Sequence, residues 1–86
     1  MDLNSIFVNN LEENTTEDDL RDYFKDCGSI EKVLNIPLNK KITLRNDKVT
    51  GMMFSYIQFT DAAAVEDALL LSDGMIRGRK IKVHKL

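Results

Sequence analysis

The sequence predicts an α+β domain in which two helices cover one face of a four-stranded antiparallel sheet, with elements in the order βαββαβ. Two observations support this fold class. Residues 52–59 alternate residue types with the period of a strand, and the segments 16–26 and 62–71 carry helix signals between further strand-like segments. The 86 residues suffice for one domain and leave no room for a second, so we assign residues 1–86 to a single domain.

The first element is a short strand over residues 5–9. Ile6 and Val8 alternate with Phe7 and a polar residue, so one face is apolar and Phe7 points to the other. Asn10 is expected to end this strand.

The first helix is predicted over about residues 16–26. Thr16 followed three residues later by Asp19 is typical of a helix start. Leu20, Tyr23, Phe24 and Cys27 then recur at helical spacing. Gly28 is expected to end the helix in a left-handed cap.

The second strand is predicted from Ile30 to Ile36, ended by Pro37, which cannot donate to a central ladder. Its faces are open to two interpretations. If Ile30 and Val33 reach the core across an irregularity, then Lys32, Leu34 and Ile36 lie on the side of Phe7. The alternative is a register shifted by one residue.

The connection at residues 38–51 also allows two structures. It is either a mobile basic loop or an extended hairpin in which residues 41–44 prolong the strands. In both cases it carries four positive charges, on Lys40, Lys41, Arg45 and Lys48.

The third strand, residues 52–59, has two distinct faces. Met53, Ser55, Ile57 and Phe59 share one face, and Met52, Phe54, Tyr56 and Gln58 share the other. Because the first set joins the apolar face of strand one, the helices should cover that side. Phe54 and Tyr56 are then left on the open face together with Phe7, where aromatic rings can stack on nucleic-acid bases.

The second helix and the last strand complete the order of elements. Thr60 or Asp61 is expected to cap an alanine-rich helix with Val65, Ala68 and Leu69 on its apolar stripe, and residues 72–74 end it. After a turn at Gly78, the last strand points Ile81 and Val83 inward and Lys80, Lys82 and His84 outward.

Charge is unevenly distributed along the chain. The net charge is −2, yet residues 12–26 hold seven acids and residues 74–86 hold five bases and no acid. Such segregation predicts a basic and an acidic side, or alternatively solvated faces without a partner.

Several classes of function are excluded. No apolar run approaches a membrane span, and no secretory leader is evident. A single cysteine, Cys27, cannot form an internal disulfide or a cysteine-based metal cluster, so we expect no metal and no cofactor. No nucleophile with a base and an orienting group can be named, so we expect no enzyme activity.

Two segments resemble the signature strands of the RNA recognition motif family. Met52 to Phe59 resembles the RNP1 octamer, with matches at Phe54, Ser55, Tyr56, Ile57 and Phe59 and departures at the two methionines. Residues 6–11, Ile-Phe-Val-Asn-Asn-Leu, resemble RNP2. The resemblance covers the chain from Ser5 to His84 and implies a ferredoxin-like βαββαβ sandwich that binds single-stranded RNA.

Within that family the chain is most similar to the nuclear poly(A)-binding type, on residues 5–10, 27–30, 54–59 and 76–83. This implies poly(A) or adenine-rich RNA as partner, a role in mRNA 3′-end processing, and a nuclear location with shuttling to the cytoplasm as a variant. The residues expected to bind RNA are Phe7, Phe54, Tyr56, Gln58, Arg77, Arg79, Lys80 and Lys82.

The alternative is a domain of this type that binds protein. Leu34, Ile36, Met52 and Met53 would then contact a peptide of an mRNA-processing complex, or a second copy of the domain in a weak homodimer.

Overall fold

The computed structural model describes residues 3–43 and 49–86. A four-stranded antiparallel sheet has the strand order β2-β3-β1-β6, where β1 is Ser5–Glu12, β2 is Ile30–Thr43, β3 is Val49–Phe59 and β6 is Lys82–Lys85. Helices α1 (Glu17–Tyr23) and α2 (Ala63–Leu69) follow β1 and β3, and a small hairpin of β4 (Met75–Ile76) and β5 (Arg79–Lys80) precedes β6. The predicted α+β, ferredoxin-like βαββαβ sandwich is confirmed.

One face of the sheet forms the core with both helices. The strand residues on this face and the inward residues of the helices are all buried: Ile6, Val8, Ile57, Phe59, Leu20, Phe24, Val65 and Ala68. Burial of each large apolar side chain contributes about 1.5–3 kcal/mol. Each helix is seven residues long, and none in the described part of the chain could cross a bilayer. Because both helices lie on this face, the opposite face of the sheet is open.

Helix α1 starts where the sequence predicts it. The Thr16 hydroxyl accepts a hydrogen bond from the Asp19 amide at 3.1 Å, and the Asp19 carboxylate accepts one from the Thr16 amide at 2.8 Å. This reciprocal pair satisfies two amides that the helix itself cannot pair.

The predicted end of α1 at about residue 26 is wrong. The helix ends at Tyr23, and residues 24–27 form turns. The Cys27 amide donates to the Phe24 carbonyl at 3.0 Å, a bond spanning three residues. Gly28 has a φ of 159°, which is not the left-handed helical cap. A side chain at this position would crowd α2, since an added Cβ would lie 2.7 Å from the Ala64 Cβ.

The predicted side-chain cap of α2 is also wrong. Ala62 is the N-cap residue, with helical φ and ψ, and no side chain caps the helix. The chain enters α2 through a tight turn instead, in which the Ala64 amide donates to the Asp61 carbonyl at 3.2 Å. The predicted apolar stripe is correct, since Val65 and Ala68 are buried and Leu69 packs against the core.

Strand β2 follows the first of its two interpretations. The register shifts between Ile30 and Lys32, so Ile30 and Val33 both pack against the core. Leu34 then pairs with Tyr56 on the open face. The strand continues through Pro37, contrary to prediction, because β2 lies at the sheet edge, where a residue without an amide hydrogen is tolerated.

In the described parts of the 38–51 segment, residues 38–43 and 49–51, the strands are prolonged as the extended-hairpin interpretation predicts. Lys41 pairs with Gly51 and Thr43 with Val49, beyond an irregularity between Leu38 and Lys41. Residues 44–48, which include Leu44, the Asn-Asp pair and two of the four expected charges, lie outside the described residues.

Strand β1 does not end at Asn10. The register shifts between Val8 and Leu11, and Asn10 has a φ of 64°, a left-handed conformation that asparagine adopts more readily than most residues. The strand bulges here and continues to Glu12.

The last predicted strand is divided in two. Arg77 and Gly78, with φ of 50° and 78°, form the two-residue turn of the β4–β5 hairpin. Ile81 separates β5 from β6 and is buried, as is Val83, which confirms their predicted inward direction.

Candidate nucleic-acid interface

Side chains on the open face form three rows across the strands, because directly paired residues point to the same side. The central row is Leu34, Tyr56, Phe7 and His84, and the polar row is Lys32, Gln58 and Ser5. The bulge row is Ile36 and Phe54, then Asn9 beside the β1 bulge and Lys82. Neighbouring rows lie about 6.8 Å apart, two residues along a strand.

The three predicted aromatic residues lie in mutual contact on this face. The ring centroid of Phe7 is 5.2 Å from that of Phe54 and 5.4 Å from that of Tyr56, and the latter two are 5.7 Å apart. The planes are tilted or edge-on, arrangements that aromatic pairs favour. Phe7 and Phe54 are half-buried, while Tyr56 is 36% exposed, so the cluster presents rings to solvent.

His84 extends the aromatic cluster and was given no role from the sequence. Its ring centroid is 6.1 Å from that of Phe7, with the planes 32° apart. The outward alternation of the last strand indicated its face, but only the pairing of Phe7 with His84 places the two rings together. It adds a fourth flat ring to the candidate surface.

A concavity of about 230 Å³ lies at the junction of the central and polar rows. It is lined by Ser5, Lys32, Leu34, Tyr56, Gln58 and Leu86. Gln58, predicted to bind RNA, is therefore next to Tyr56 in a shared depression, and Lys32 and Leu34 join them from the neighbouring strand.

Lys82 lies on the open face, as predicted, but its charge is paired. Its ammonium contacts the carboxylate of Asp73, and the hydrogen bond and charge of Lys82 hold the pKa of Asp73 below its usual value. Lys80 is exposed and, among the residues described, its ammonium has no ion-pair partner. The backbone carbonyl of Lys80 accepts a hydrogen bond from the side-chain amide of Asn10 at 2.6 Å.

The two predicted arginines link the β4–β5 hairpin to β1 and α1. Arg79 donates to the Asn10 carbonyl at 3.3 Å and to its side-chain oxygen. The Arg77 Nε lies 2.6 Å from the Asp19 carboxylate at the start of α1. A backbone hydrogen bond from Thr16, followed by the contact with Arg77, lowers the pKa of Asp19. The structure therefore brings neither guanidinium into the aromatic cluster, and their contact with RNA stays a prediction.

Opposite charges that are separate in sequence meet in the fold. The basic C-terminal segment pairs with acids through Arg77–Asp19, Lys82–Asp73 and Lys85–Glu66, and Lys41 pairs with Glu13 at 3.2 Å. Much of the positive charge expected on one side is neutralised locally. The open face is therefore less basic than the charge segregation along the chain indicated.

The residues proposed for protein contact do not form one surface. Met53 is only 4% exposed and belongs to the core, so its assignment to a contact surface is wrong. Leu34 is 47% exposed, while Ile36 and Met52 are half-buried.

Residues 3–43 and 49–86 contain no group of three His, Cys, Asp or Glu residues placed to hold a metal ion. Burial, with smaller effects of Asp67 and Asp26, raises the pKa of the half-buried Cys27 thiol, which makes it a poorer nucleophile at neutral pH.

Comparisons with known proteins identify the family. Residues 6–82 match the model of the RNA recognition motif. The chain is 34% identical over 85 residues to polyadenylate-binding protein 2 of Schizosaccharomyces pombe, covering 96% of this chain and 46% of that protein. It is 37% identical over 85 residues to nucleolar protein 12 of Eremothecium gossypii, covering 94% and 18%. The chain thus spans less than half the length of these relatives.

The structure of the Mip6 RRM3 domain superposes with a TM-score of 0.76 at 20% identity, over 99% of this chain and 94% of that one. The chain belongs to the RNA recognition motif family.

Proposed function

We propose that this domain binds single-stranded, adenine-rich RNA and that it serves mRNA 3′-end processing in the nucleus. The observation that carries the proposal is the contact cluster of Phe7, Phe54 and Tyr56 on the sheet face opposite α1 and α2. Aromatic rings on an open face are costly to leave in water, and bases are the flat partners that cover them.

The energetics favour stacking assisted by charge. Each stacked base contributes about 1–3 kcal/mol, so three rings supply roughly 3–9 kcal/mol before the cost of ordering the RNA. Micromolar binding requires about 8 kcal/mol. Lys80 and Lys82 are therefore assigned to the phosphates, and binding is expected to weaken as salt rises.

Adenine-rich RNA is proposed on two grounds. The first is the 34% identity to a protein named for polyadenylate binding. The second is the amide of Gln58 beside the Tyr56 ring, since an amide can form paired hydrogen bonds with adenine. The site offers binding groups rather than catalytic ones, so the function proposed is that of a non-enzymatic binding module.

The test is fluorescence anisotropy with labelled oligo(A), oligo(U) and oligo(C) at two salt concentrations. Phe54→Leu keeps an apolar side chain at the half-buried position but removes the ring face. It should weaken oligo(A) binding roughly 5- to 150-fold, the equivalent of one stacked base. Leu70→Ala is the control, because Leu70 is 82% exposed and lies just beyond α2, on the helix side.

Three outcomes separate the possibilities. Preferential binding of oligo(A) that collapses in Phe54→Leu and persists in Leu70→Ala supports the proposal. Equal binding of all three oligomers retains RNA binding and refutes the adenine preference. If no oligomer binds, the open face around the exposed Leu34 is better explained as a protein-contact surface.

A further inference from the structure

The concavity beside Tyr56 differs in chemistry from the rest of the open face. The central row consists of rings and Leu34, and the bulge row mixes apolar with polar side chains, whereas the polar row brings Lys32, Gln58 and Ser5 together across three strands. Leu34 and Leu86, 47% and 50% exposed, form its apolar sides. It therefore combines a ring face, apolar sides and a polar end, which is the composition of a small-molecule site.

Two polar groups at this end, the Gln58 side-chain amide and the Lys32 ammonium, are available to a ligand. Within residues 3–43 and 49–86, no hydrogen bond engages the side-chain amide of Gln58 and no ion pair engages the Lys32 ammonium. Most other described basic residues contact acids, as in Lys82–Asp73 and Lys41–Glu13. The Lys32 ammonium is thus a cation beside the Gln58 side-chain amide, and neither group has a hydrogen-bond partner among the residues described.

The spacing of the rows selects the size of the base. The polar row lies about 6.8 Å along the strands from the ring row, two strand residues away. A base stacked over Tyr56 must extend in its own plane to reach Gln58, which a two-ring purine does better than a one-ring pyrimidine. A volume of about 230 Å³ accommodates the larger base.

We infer that this concavity is an adenine-selecting pocket, in which the base stacks on Tyr56 and its edge pairs with the Gln58 amide while Lys32 donates to a ring nitrogen. The inference rests on the proposed RNA-binding function and deepens it, because it adds Lys32 and the concavity to the Gln58 amide as the features that choose the base. The amide oxygen accepts from the exocyclic amino group of adenine and the amide nitrogen donates to the adjacent ring nitrogen. Lys32 only donates, so it contacts an acceptor.

The test uses labelled nonamers of uridine that carry one central adenine, guanine or cytosine, or none. Gln58→Met keeps the side-chain length and removes both hydrogen-bonding groups. It should reduce the preference for the adenine nonamer over the all-uridine nonamer roughly 5- to 100-fold, as expected for one lost bidentate contact. Affinity for the all-uridine nonamer is measured for each variant as well, because the adenine preference is the ratio of the two affinities and separates base selection from stacking and phosphate contacts.

Lys32→Met provides an independent variant, and Lys25→Met is its matched control. Both remove one positive charge, but Lys25 pairs with Asp22 just beyond α1, on the helix side of the sheet. Lys32→Met should lower the adenine preference, while Lys25→Met should leave it unchanged. Circular dichroism of each variant verifies that the fold is retained.

The outcomes distinguish this inference from the proposed function. If the unmodified chain binds RNA through Phe54 but shows no adenine preference, or one that survives Gln58→Met, the pocket assignment is overturned and RNA binding stands. A preference for the guanine nonamer also overturns it. If the unmodified chain binds none of the nonamers, the proposed function and the pocket both fail.

Discussion

Replacing Asp73 with asparagine should strengthen RNA binding. Asp73 holds the Lys82 ammonium on the open face, and the contact with Lys82 is the largest cause of the lowered pKa of Asp73. Its backbone is fixed beside the last strand, where its amide donates to the Ile81 carbonyl at 2.8 Å. Asparagine has the same size and tolerates the φ of 75° at this position, so the substitution removes the charge and keeps the geometry.

The size of the effect follows from the number of phosphates engaged. Each phosphate neutralised on a single strand makes the affinity fall by about 0.7 log units per tenfold rise in salt. If Lys82 is released to one further phosphate and the gain vanishes at about 1 M salt, this slope makes the affinity rise about fivefold at 0.1 M salt and about twofold at 0.3 M.

The assay is fluorescence anisotropy with oligo(A) from 0.1 to 0.3 M salt. Asp26→Asn is the matched control, because Asp26 is an exposed aspartate that follows α1 and has no ion pair among the residues described. In a Lys82→Met background the gain from Asp73→Asn should fall below about twofold at 0.1 M salt. An equal gain from Asp26→Asn, or an undiminished gain without Lys82, would show that net charge alone is responsible and refute the reasoning.

Three predictions concern stability, measured as the free energy of unfolding in urea. Thr16→Ala removes the α1 cap and should cost about 0.5–2 kcal/mol, whereas Thr60→Ala, at the cap predicted but not formed, should change stability by less than about 0.5 kcal/mol; equal losses would contradict the capping assignment. Asp19→Asn should destabilise the chain at pH 7, because the pKa of Asp19 is lower in the folded than in the unfolded state. The difference in unfolding free energy from the unmodified chain should persist down to about the ordinary pKa of 3.8 and close as the pH falls through the lowered pKa. A difference that does not depend on pH would exclude charge as the cause. Gly28→Ala should cost about 1–3 kcal/mol by overpacking against Ala64, and Ala64→Gly in the same chain should recover part of that loss unless the cost lies in the backbone of Gly28.

The fold and the aromatic cluster could be predicted because both depend on alternation. In β1 and β3, buried aliphatic residues alternate with the rings, so the parity of Ile6 and Ile57 already placed Phe7 and Tyr56 on the opposite face. The capping signature at Thr16 is equally local, since all its atoms lie within four residues. Such short-range patterns depend only on residues that lie close together in the sequence.

Features that depend on pairing between distant segments could not be predicted. The bulge at Asn10 is stabilised by Arg79 and the Lys80 carbonyl, about seventy residues away. The passage of β2 through Pro37 depends on its place at the sheet edge, which only the strand order reveals. The same holds for Lys82, whose neutralisation by Asp73 requires the chain to turn back at the β4–β5 hairpin.

The pairing of charges bears directly on how the proposed surface would hold RNA. With Arg77 on Asp19 and Lys82 on Asp73, the positive charge available without breaking a contact comes mainly from Lys80 and Lys32 among the residues described. Exposed ion pairs are weak, about 0–1 kcal/mol, so a phosphate can displace the acid at little cost. We therefore propose that Lys82 joins Lys80 and Lys32 at the phosphates, with its contribution reduced only by the small cost of leaving Asp73, and that stacking on the rings supplies most of the affinity. A chain in which Phe54→Leu weakens binding far more than Lys82→Met does would match this balance, and the reverse order would show that charge dominates.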